Sequence, residues 1–226
     1  MNRLTHRFPL PNFVKRGTDG EGEPSEKRRE CLTTDTGVTL AADLCTIVTI
    51  RFQVLYVMVI MEIGSRRIIH TNVSPCPDQR WIAQQMREAI PCDHRYRFLV
   101  HDRGSVFSAA VDATLQAMGV GALRTPPRAP TANAYLERVN GTLRRECLDH
   151  LIPLSESHLR RILCEWVMHY NRSRPHQSLG PGIPDPPAGL PVEELPHRHR
   201  LPDGARVVAT PILGGLHHEY RLETAA

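Results

Sequence analysis

The stretch VTLAADLCTIVTIRFQVLYVMVIMEIGSRRIIHTNVS, residues 38–74, decides the fold. Apolar and β-branched residues dominate three parts of it, VTLAADLCTIVTI, QVLYVMVIMEI and RRIIHTNVS, and this composition predicts three strands. A glycine–serine pair in EIGSRR separates the second strand from the third and is typical of a hairpin turn. The stretch therefore predicts three consecutive strands arranged as a meander.

Helical and strand patterns alternate after the meander. PDQRWIAQQMREAI (77–90) has helical periodicity and Asp78 at the position of an N-cap. SVFSAAVDATLQAMGV (105–120) predicts a second helix that ends at Gly119. The residues of this second helix expected to face inward are Phe107, Ala110, Val111, Leu115 and Met118. RFLVHD and GALRTPP read as short strands, one before and one after this helix.

Two more helices follow the last short strand. TANAYLERVNGTLRRECLDHL (131–151) has one apolar stripe, and SESHLRRILCEWVMHYN (155–171) begins with serines that can cap it. The stripe consists of Leu136, Val139, Leu143 and Cys147. A strand meander followed by alternating helices and strands predicts an α/β fold, a mixed sheet with helices on its faces.

The chain divides into three parts by composition. Residues 1–36 are polar, charged and glycine-bearing, and they are predicted to be disordered or poorly packed. Residues 37–186 contain the predicted core. Residues 187–226 form a proline-rich, extended C-terminal arm that ends in a predicted hairpin, ARVVATPILGGLHHEYRL, with a Gly-Gly turn.

Composition favours a soluble protein and points weakly to an anionic partner. Of 28 basic residues only two are lysines, which leaves 26 arginines, and the net charge is +4. Arginine suits phosphate binding, although a GC-rich genome explains its abundance at least as well. The six cysteines are scattered without a CxxC pair, as expected for reduced thiols in a cytoplasmic protein. The longest apolar run, Val54–Met61, is too short to cross a membrane as a helix.

Three carboxylates lie at the ends of predicted elements and are candidates for chemistry. Asp43 lies in the first strand, Asp102 closes the fourth, and Glu137 lies in the first turns of a helix. If the first and fourth strands are neighbours, the three acids converge and repel one another unless a divalent cation neutralises them. Carboxylates without a dedicated histidine or cysteine favour Mg²⁺ or Mn²⁺, and two such ions about 4 Å apart can catalyse phosphoryl transfer.

Spacing alone does not establish such a site. Among 24 acidic residues in 226, about two pairs separated by 35 positions are expected by chance, and a single acidic residue is more often a solvated surface group. Asp102 has the strongest context, because it ends an apolar strand and precedes a turn. Asp35 and Glu62 compete with Asp43, but Asp35 precedes the strand pattern and Glu62 is expected to be solvated at a hairpin end.

The segments HDRGSVFSAAVDATLQAMGVGALRTPPRAPTANAYLERVNGTLRRECLDHL and HYNRSRPHQSLG resemble the catalytic core of DDE-type insertion-sequence transposases and retroviral integrases. The resemblance extends over roughly residues 38–186. It implies a ribonuclease-H-like fold, which is a five-stranded mixed sheet flanked by helices. It also implies that Asp43, Asp102 and Glu137 are the catalytic residues and coordinate two Mg²⁺ or Mn²⁺ ions. The residues after Asp43 depart from the family, which usually has aromatic residues there.

The resemblance also implies contacts with DNA and a homo-oligomer on DNA, because two element ends must be joined. The candidate DNA-binding residues are Arg124, Arg128, Asn140, Arg144 and Arg174. Asn140 and Arg144 share a helix face with Glu137, and a solvated face is an equally good explanation for them. For Arg174, holding the end of a helix against the core is the stronger explanation.

The resulting functional hypothesis is a transposase or integrase catalytic domain that cleaves and transfers DNA strands. Residues 1–36 resemble neither a helix-turn-helix nor the zinc-binding HHCC segment of retroviral integrases, so the chain is expected to be truncated. An inactive remnant that binds DNA without chemistry is therefore the alternative. A ribonuclease-H-like nuclease is a third hypothesis, which the transposase-like YNRSRPHQSLG segment argues against.

Overall fold

A computed structural model describes residues 38–125, 134–180, 182–187, 201 and 203–224. The strands in these ranges are β1 (Thr39–Val48), β2 (Val54–Glu62), β3 (Ile68–Ser74), β4 (Phe98–His101), β5 (Gly121–Arg124), β6 (Ala205–Ile212) and β7 (His217–Thr224). The α-helices are α1 (Gln79–Ala89), α2 (Ala109–Ala117), α3 (Ala134–Leu143) and α4 (Glu156–Arg172). A π-helical turn, Arg144–Leu148, continues α3. The order of elements is the predicted one, while residues 1–36, for which disorder was predicted, and residues 188–200 of the proline-rich arm lie outside the described residues.

The first five strands form one mixed sheet in the order β3-β2-β1-β4-β5. β1 and β2 are antiparallel, as are β2 and β3, whereas β1 runs parallel to β4 and β4 runs parallel to β5. The predicted five-stranded mixed sheet is therefore confirmed. β1 and β4 are neighbours, and their register pairs Ala42 with His101. The residue after Ala42 on β1 is Asp43 and the residue that follows the end of β4 is Asp102, so the two carboxylates lie next to each other at this edge.

The sheet buries a separate apolar layer on each face because side chains alternate along a strand. Ala41 and Cys45 of β1 pack towards α3 and α4, and Leu40 and Ala42 pack towards α1 and α2. Full burial of a side chain the size of Leu40 contributes about 1.5–3 kcal/mol to stability. Asp43 has the same parity as Ala41 and Cys45, so its side chain emerges on the α3 face.

Local signals at the helix ends behave as the sequence predicts, with one exception. Asp78 caps α1 by accepting a hydrogen bond from the backbone N–H of Trp81 at 2.7 Å. Gly119 has φ +80°, the left-handed conformation that lets the chain leave α2. The inward orientation predicted for Ala110 is wrong, because it is only the second residue of α2 and its side chain is exposed.

The α3 and α4 layer is closed by the predicted apolar stripe and by the C-terminal hairpin. The stripe residues, all of which are buried, are Leu136, Val139, Leu143 and Cys147. β6 and β7 form the predicted hairpin, with φ +67° at Gly214 and +97° at Gly215 in its turn. Leu213 is buried in the same apolar cluster as Trp166 of α4. Among the described residues, no helix is both long and apolar enough to span a membrane.

Candidate active site

The strand ends place two of the predicted carboxylates next to each other. β4 stops at His101, whereas β1 continues to Val48, so Asp43 is the first residue of β1 that has no paired partner on the β4 side. Adjacent strands are about 4.8 Å apart, which brings the backbones of Asp43 and Asp102 to that order of separation. The side chains of Ala42 and His101, which precede the two carboxylates, point to the face of the sheet covered by α1 and α2. Asp43 and Asp102 come one residue later and therefore point to the opposite face, towards α3.

The third carboxylate comes from α3, which crosses this edge of the sheet. The buried stripe of α3 faces the core, and Glu137 and Asn140 lie beside it, one turn apart. Asn140 Nδ2 donates a hydrogen bond to Asp43 Oδ2 at 2.9 Å, which ties α3 to β1 at the site. The backbone N–H of Leu44 donates to the other oxygen of Asp43, also at 2.9 Å. The orientation of Asp43 is therefore fixed from two sides.

The electrostatics of Asp43 show that the three acids share one environment. The pKa of Asp43 is raised from 3.8 to about 6, mainly by burial and additionally by the negative charges of Asp102 and Glu137. The hydrogen bonds from Leu44 and Asn140 lower this pKa but do not offset burial and repulsion. Asp43, Asp102 and Glu137 are thus close enough to repel one another.

We predict a specific pH dependence of stability for the metal-free protein. The folded state binds the Asp43 proton more tightly than the unfolded chain, so the free energy of unfolding falls as the pH rises from about 4 to about 6. The decrease attributable to Asp43 is at most about 3 kcal/mol. Urea unfolding measured across this range in the presence of EDTA should show that Asp43→Asn removes the decrease. The exposed Asp93→Asn serves as control, and an identical pH profile for wild type and Asp43→Asn contradicts the prediction.

The donors around Asp43 fit a hard divalent cation. They are carboxylate and amide oxygens, the ligand type that Mg²⁺ and Mn²⁺ prefer. Asn140 Oδ1 is buried and has no hydrogen-bond partner among the described residues, so the site contains an oxygen whose bonding capacity is unused. No three histidine, cysteine or carboxylate side chains in the described ranges are already close enough to enclose an ion. Ion binding would therefore require side-chain rotation, and the exposed Glu137 is the freest of the three to rotate.

The turn after β4 is shaped around Asp102. The backbone N–H of Gly104 donates to Asp102 Oδ1 at 3.0 Å. A Cβ at position 104 would lie 3.0 Å from that same oxygen, which is tighter than ordinary van der Waals contact. Glycine is therefore favoured at position 104 by close approach to the carboxylate, a constraint that the sequence alone does not reveal.

A polar network of His101, Asp112 and Arg124 holds the end of β4 on the face of the sheet opposite to the three carboxylates. His101 is fully buried, and its Nε2 lies 3.1 Å from Asp112 Oδ1. The other oxygen of Asp112 accepts from Arg124 Nη2 at 2.6 Å. Asp112, which the sequence pattern did not single out, thus links α2 to the ends of β4 and β5. Arg124 is held in this network, with 37% of its side chain exposed.

Of the remaining candidates for DNA binding, Arg144 is exposed near Asp43, whereas Arg174 is occupied by an ion pair. Arg144 Nη2 donates to the backbone oxygen of Thr46 at 2.9 Å, on the same strand as Asp43, and the side chain is exposed. Arg174 forms a bidentate ion pair with Glu146, with distances of 2.7 and 2.6 Å, which matches the helix-holding explanation. Arg128 lies outside the described residues.

Glu62 and Asp35 were the alternatives to Asp43 as the first metal ligand, and only Glu62 lies among the described residues. Glu62 is 4% exposed and paired with Arg95 at 2.8 Å, so its predicted solvated position is wrong. It pairs in register with Leu40, three residues before Asp43, and the Arg95 guanidinium and the Tyr96 hydroxyl occupy its oxygens. Glu62 therefore has a structural role. Asp35 lies outside the described residues.

Sequence comparison places the second half of the core in a known family. Residues 118–184 match the family model described as integrase core domain. This part of the core is therefore similar to an integrase core domain. A protein of insertion element IS476 from Xanthomonas euvesicatoria is 41% identical over 80 residues, 35% of this chain and 23% of that protein. A protein of insertion element IS407 from Burkholderia multivorans is 38% identical over 79 residues, 34% and 28% of the two chains.

Solved structures show the same fold as this chain. The catalytic domain of Mos1 mariner transposase superposes with a TM-score of 0.50 at 15% identity, covering 62% of this chain and 74% of that one. A simian T-cell lymphotropic virus intasome structure gives 0.51 at 14% identity, covering 82% and 66%. The predicted fold is therefore confirmed. The chain spans about a quarter of the length of the two insertion-element proteins.

Proposed function

We propose that the integrase core domain catalyses metal-dependent DNA strand cleavage and strand transfer, as part of a transposase. The observation that carries this proposal is the environment of Asp43. Asn140 fixes the Asp43 carboxylate on the face of the sheet where the charges of both Asp102 and Glu137 act on it. An acidic cluster of this kind, at the end of parallel strands in an integrase core domain, is suited to holding two Mg²⁺ or Mn²⁺ ions.

In this proposal the chain supplies ligands and positioning for an in-line displacement at phosphorus. A water, and then a DNA 3′-hydroxyl, forms the new bond to phosphorus and loses its proton, while the opposite P–O bond breaks and its oxygen leaves. The divalent ions, when bound, lower the pKa of the attacking oxygen's proton and stabilise the leaving oxygen. Asp43, Asp102 and Glu137 hold the ions. Asn140 keeps Asp43 oriented, a role distinct from the direct DNA contact predicted for it.

Arg144 is the best placed of the predicted DNA-binding residues. It begins the π-helical turn after α3, and its single hydrogen bond to Thr46 leaves its other N–H groups available for a phosphate oxygen. Contacts of this kind make affinity fall as salt rises. We expect more than one copy of the chain on DNA, acting on chromosomal DNA in the cytoplasm.

The geometry does not favour an inactive remnant, because Asp43, Asp102 and Glu137 keep their carboxylates and remain in electrostatic contact. The direct test is incubation of the full chain with a labelled short duplex, a supercoiled plasmid and Mg²⁺ or Mn²⁺. We expect labelled DNA to become joined to the plasmid in the presence of either metal and not in EDTA. DNA binding with neither nicking nor joining in Mn²⁺ would instead support the remnant. Cleavage of an RNA–DNA hybrid without joining would support a ribonuclease-H-like nuclease.

A further inference from the structure

A pocket lies on the other side of α3 from the carboxylates. It has a volume of about 290 Å³, at the lower end of the roughly 300–1,000 Å³ typical of small-ligand sites. Its walls are α3, the turn between β2 and β3, and the end of α4 with the segment that follows. We call it the arginine pocket and define it by six of its lining residues, Arg66, Tyr135, Arg138, Tyr170, Arg174 and His176.

The arginine pocket has an excess of positive charge. Arg174 is neutralised by Glu146 at 2.6 Å, but neither Arg66 nor Arg138 has an acidic partner among the described residues. All three guanidinium groups act on the hydroxyl of Tyr170, which is 3% exposed. The three arginines therefore line one pocket and leave about two uncompensated positive charges in its walls.

Two polar atoms at this position are buried and have no partner in the described part of the chain. They are Arg66 Nη1 and His176 Nε2, and His176 as a whole is only 9% exposed. Leaving such a group unsatisfied costs about 1–3 kcal/mol, more when it is charged, so buried polar atoms are nearly always bonded to something. A ligand with several acceptor oxygens would satisfy Arg66 Nη1.

The guanidinium group of Arg66 is held in place without any ligand. Arg66 stacks on the ring of Tyr135, with 3.9 Å between Cζ and the ring centroid, and its backbone adopts φ +65°. This conformation is uncommon for a residue other than glycine. The stacking fixes the planar fork without using its N–H groups, which leaves them for a bidentate contact with an oxyanion.

We propose that the arginine pocket binds one phosphate group of the DNA backbone, beside the strand that enters the active site. This inference rests on the proposed function, because the phosphate belongs to the DNA on which the site would act. Several guanidinium forks around one buried position suit a tetrahedral oxyanion. The pocket and the carboxylates lie on opposite sides of α3, and a helix is about 10–12 Å across with its side chains. Phosphates in one strand are about 3.4 Å apart along the duplex axis, so the phosphate bound here lies about three nucleotides from the reacting one.

The test is the affinity of the full chain for a fluorescent duplex in EDTA, measured at several salt concentrations. We expect Arg66→Gln and Arg138→Gln each to weaken binding about tenfold and to reduce the salt slope by about 1, as for loss of one phosphate contact. Arg66→Lys should restore part of the affinity because it keeps the charge. Arg87→Gln, an exposed arginine on the opposite face of the sheet, is the control and should leave affinity unchanged. Arg138 is exposed, so its variant tests the proposal even if Arg66→Gln does not fold.

The outcomes separate this inference from the proposed function. Equal effects of all three glutamine variants, or no effect of any, overturn the inference. Inorganic phosphate that stabilises wild type but not Arg66→Gln, with DNA affinity unchanged, assigns the pocket to a free anion and also overturns it. Competition by polyglutamate as effective as that by DNA points to an acidic protein instead and overturns it too. Pocket-dependent DNA binding without strand transfer supports the inference and overturns only the proposed function.

Discussion

Asp102→Asn and Glu137→Gln are each expected to reduce metal-dependent strand transfer by at least about 1,000-fold, because each removes a charge that holds the ions at the reacting phosphate. Stability should change in the opposite direction. In the metal-free protein the acids repel Asp43, so removing one charge should leave the free energy of unfolding unchanged or slightly higher. Strand-transfer assays with matched urea unfolding measure both quantities on the same preparations.

The control for these two variants is Glu88→Gln, which changes an exposed carboxylate on α1, on the opposite face of the sheet. It should transfer strands at the wild-type rate. DNA affinity of Asp102→Asn and Glu137→Gln in EDTA should be equal to that of wild type or somewhat tighter, because a negative charge is lost near DNA. If either variant keeps activity within tenfold of wild type, its carboxylate does not hold a catalytic ion.

Asn171→Ala is expected to lower the free energy of unfolding by about 2–4 kcal/mol. Asn171 of α4 is 8% exposed, and its amide closes two hydrogen bonds of 2.9 Å with the backbone N–H and C=O of Ile68, the first residue of β3. Alanine would leave both backbone groups of Ile68 buried without these partners. The loss should lower the melting temperature by about 2–4 °C per kcal/mol, which thermal unfolding measures.

The matched control is Arg161→Ala, an exposed position in the middle of the same helix, for which a change within about 0.5 kcal/mol is expected. Asn171→Asp gives a second comparison, because it keeps the acceptor for the Ile68 N–H but removes the donor to the Ile68 carbonyl. It should therefore also destabilise the protein. A loss below 1 kcal/mol for Asn171→Ala would mean that water or a backbone shift replaces these bonds.

The strands and helices of the core were predictable because each one has a characteristic spacing of apolar residues in its own segment of the sequence. The period-2 and period-3.6 apolar spacings identified the five strands and four helices of the core, and Asp78 and Gly119 marked helix ends. Only the adjacency of β1 and β4 had to be assumed to bring Asp43 and Asp102 together, and the register confirms that adjacency.

The polar pairings were not predictable from local pattern, because their partners are far apart in sequence. Asn171 bonds to Ile68 across 103 positions, and Asn140 bonds to Asp43 across 97. Asn140 was predicted to contact DNA from its place on a helix face, and that face lies against the Asp43 carboxylate. Arg66 was part of a hairpin signal only. Its role as a lining residue depends on α3 and α4 packing over that turn, which single-segment reasoning does not reveal.

The most direct test of the proposed site is a crystal structure of the full chain grown with Mn²⁺, with anomalous scattering used to locate the metal. We expect one or two Mn²⁺ peaks within about 2.0–2.6 Å of carboxylate oxygens of Asp43 and Asp102, with Glu137 rotated to join them. The same crystals of Asp102→Asn should lose at least one peak. Mn²⁺ bound elsewhere, or no peak at Asp43 and Asp102 in wild type, would contradict the proposal that these three carboxylates form the catalytic metal site.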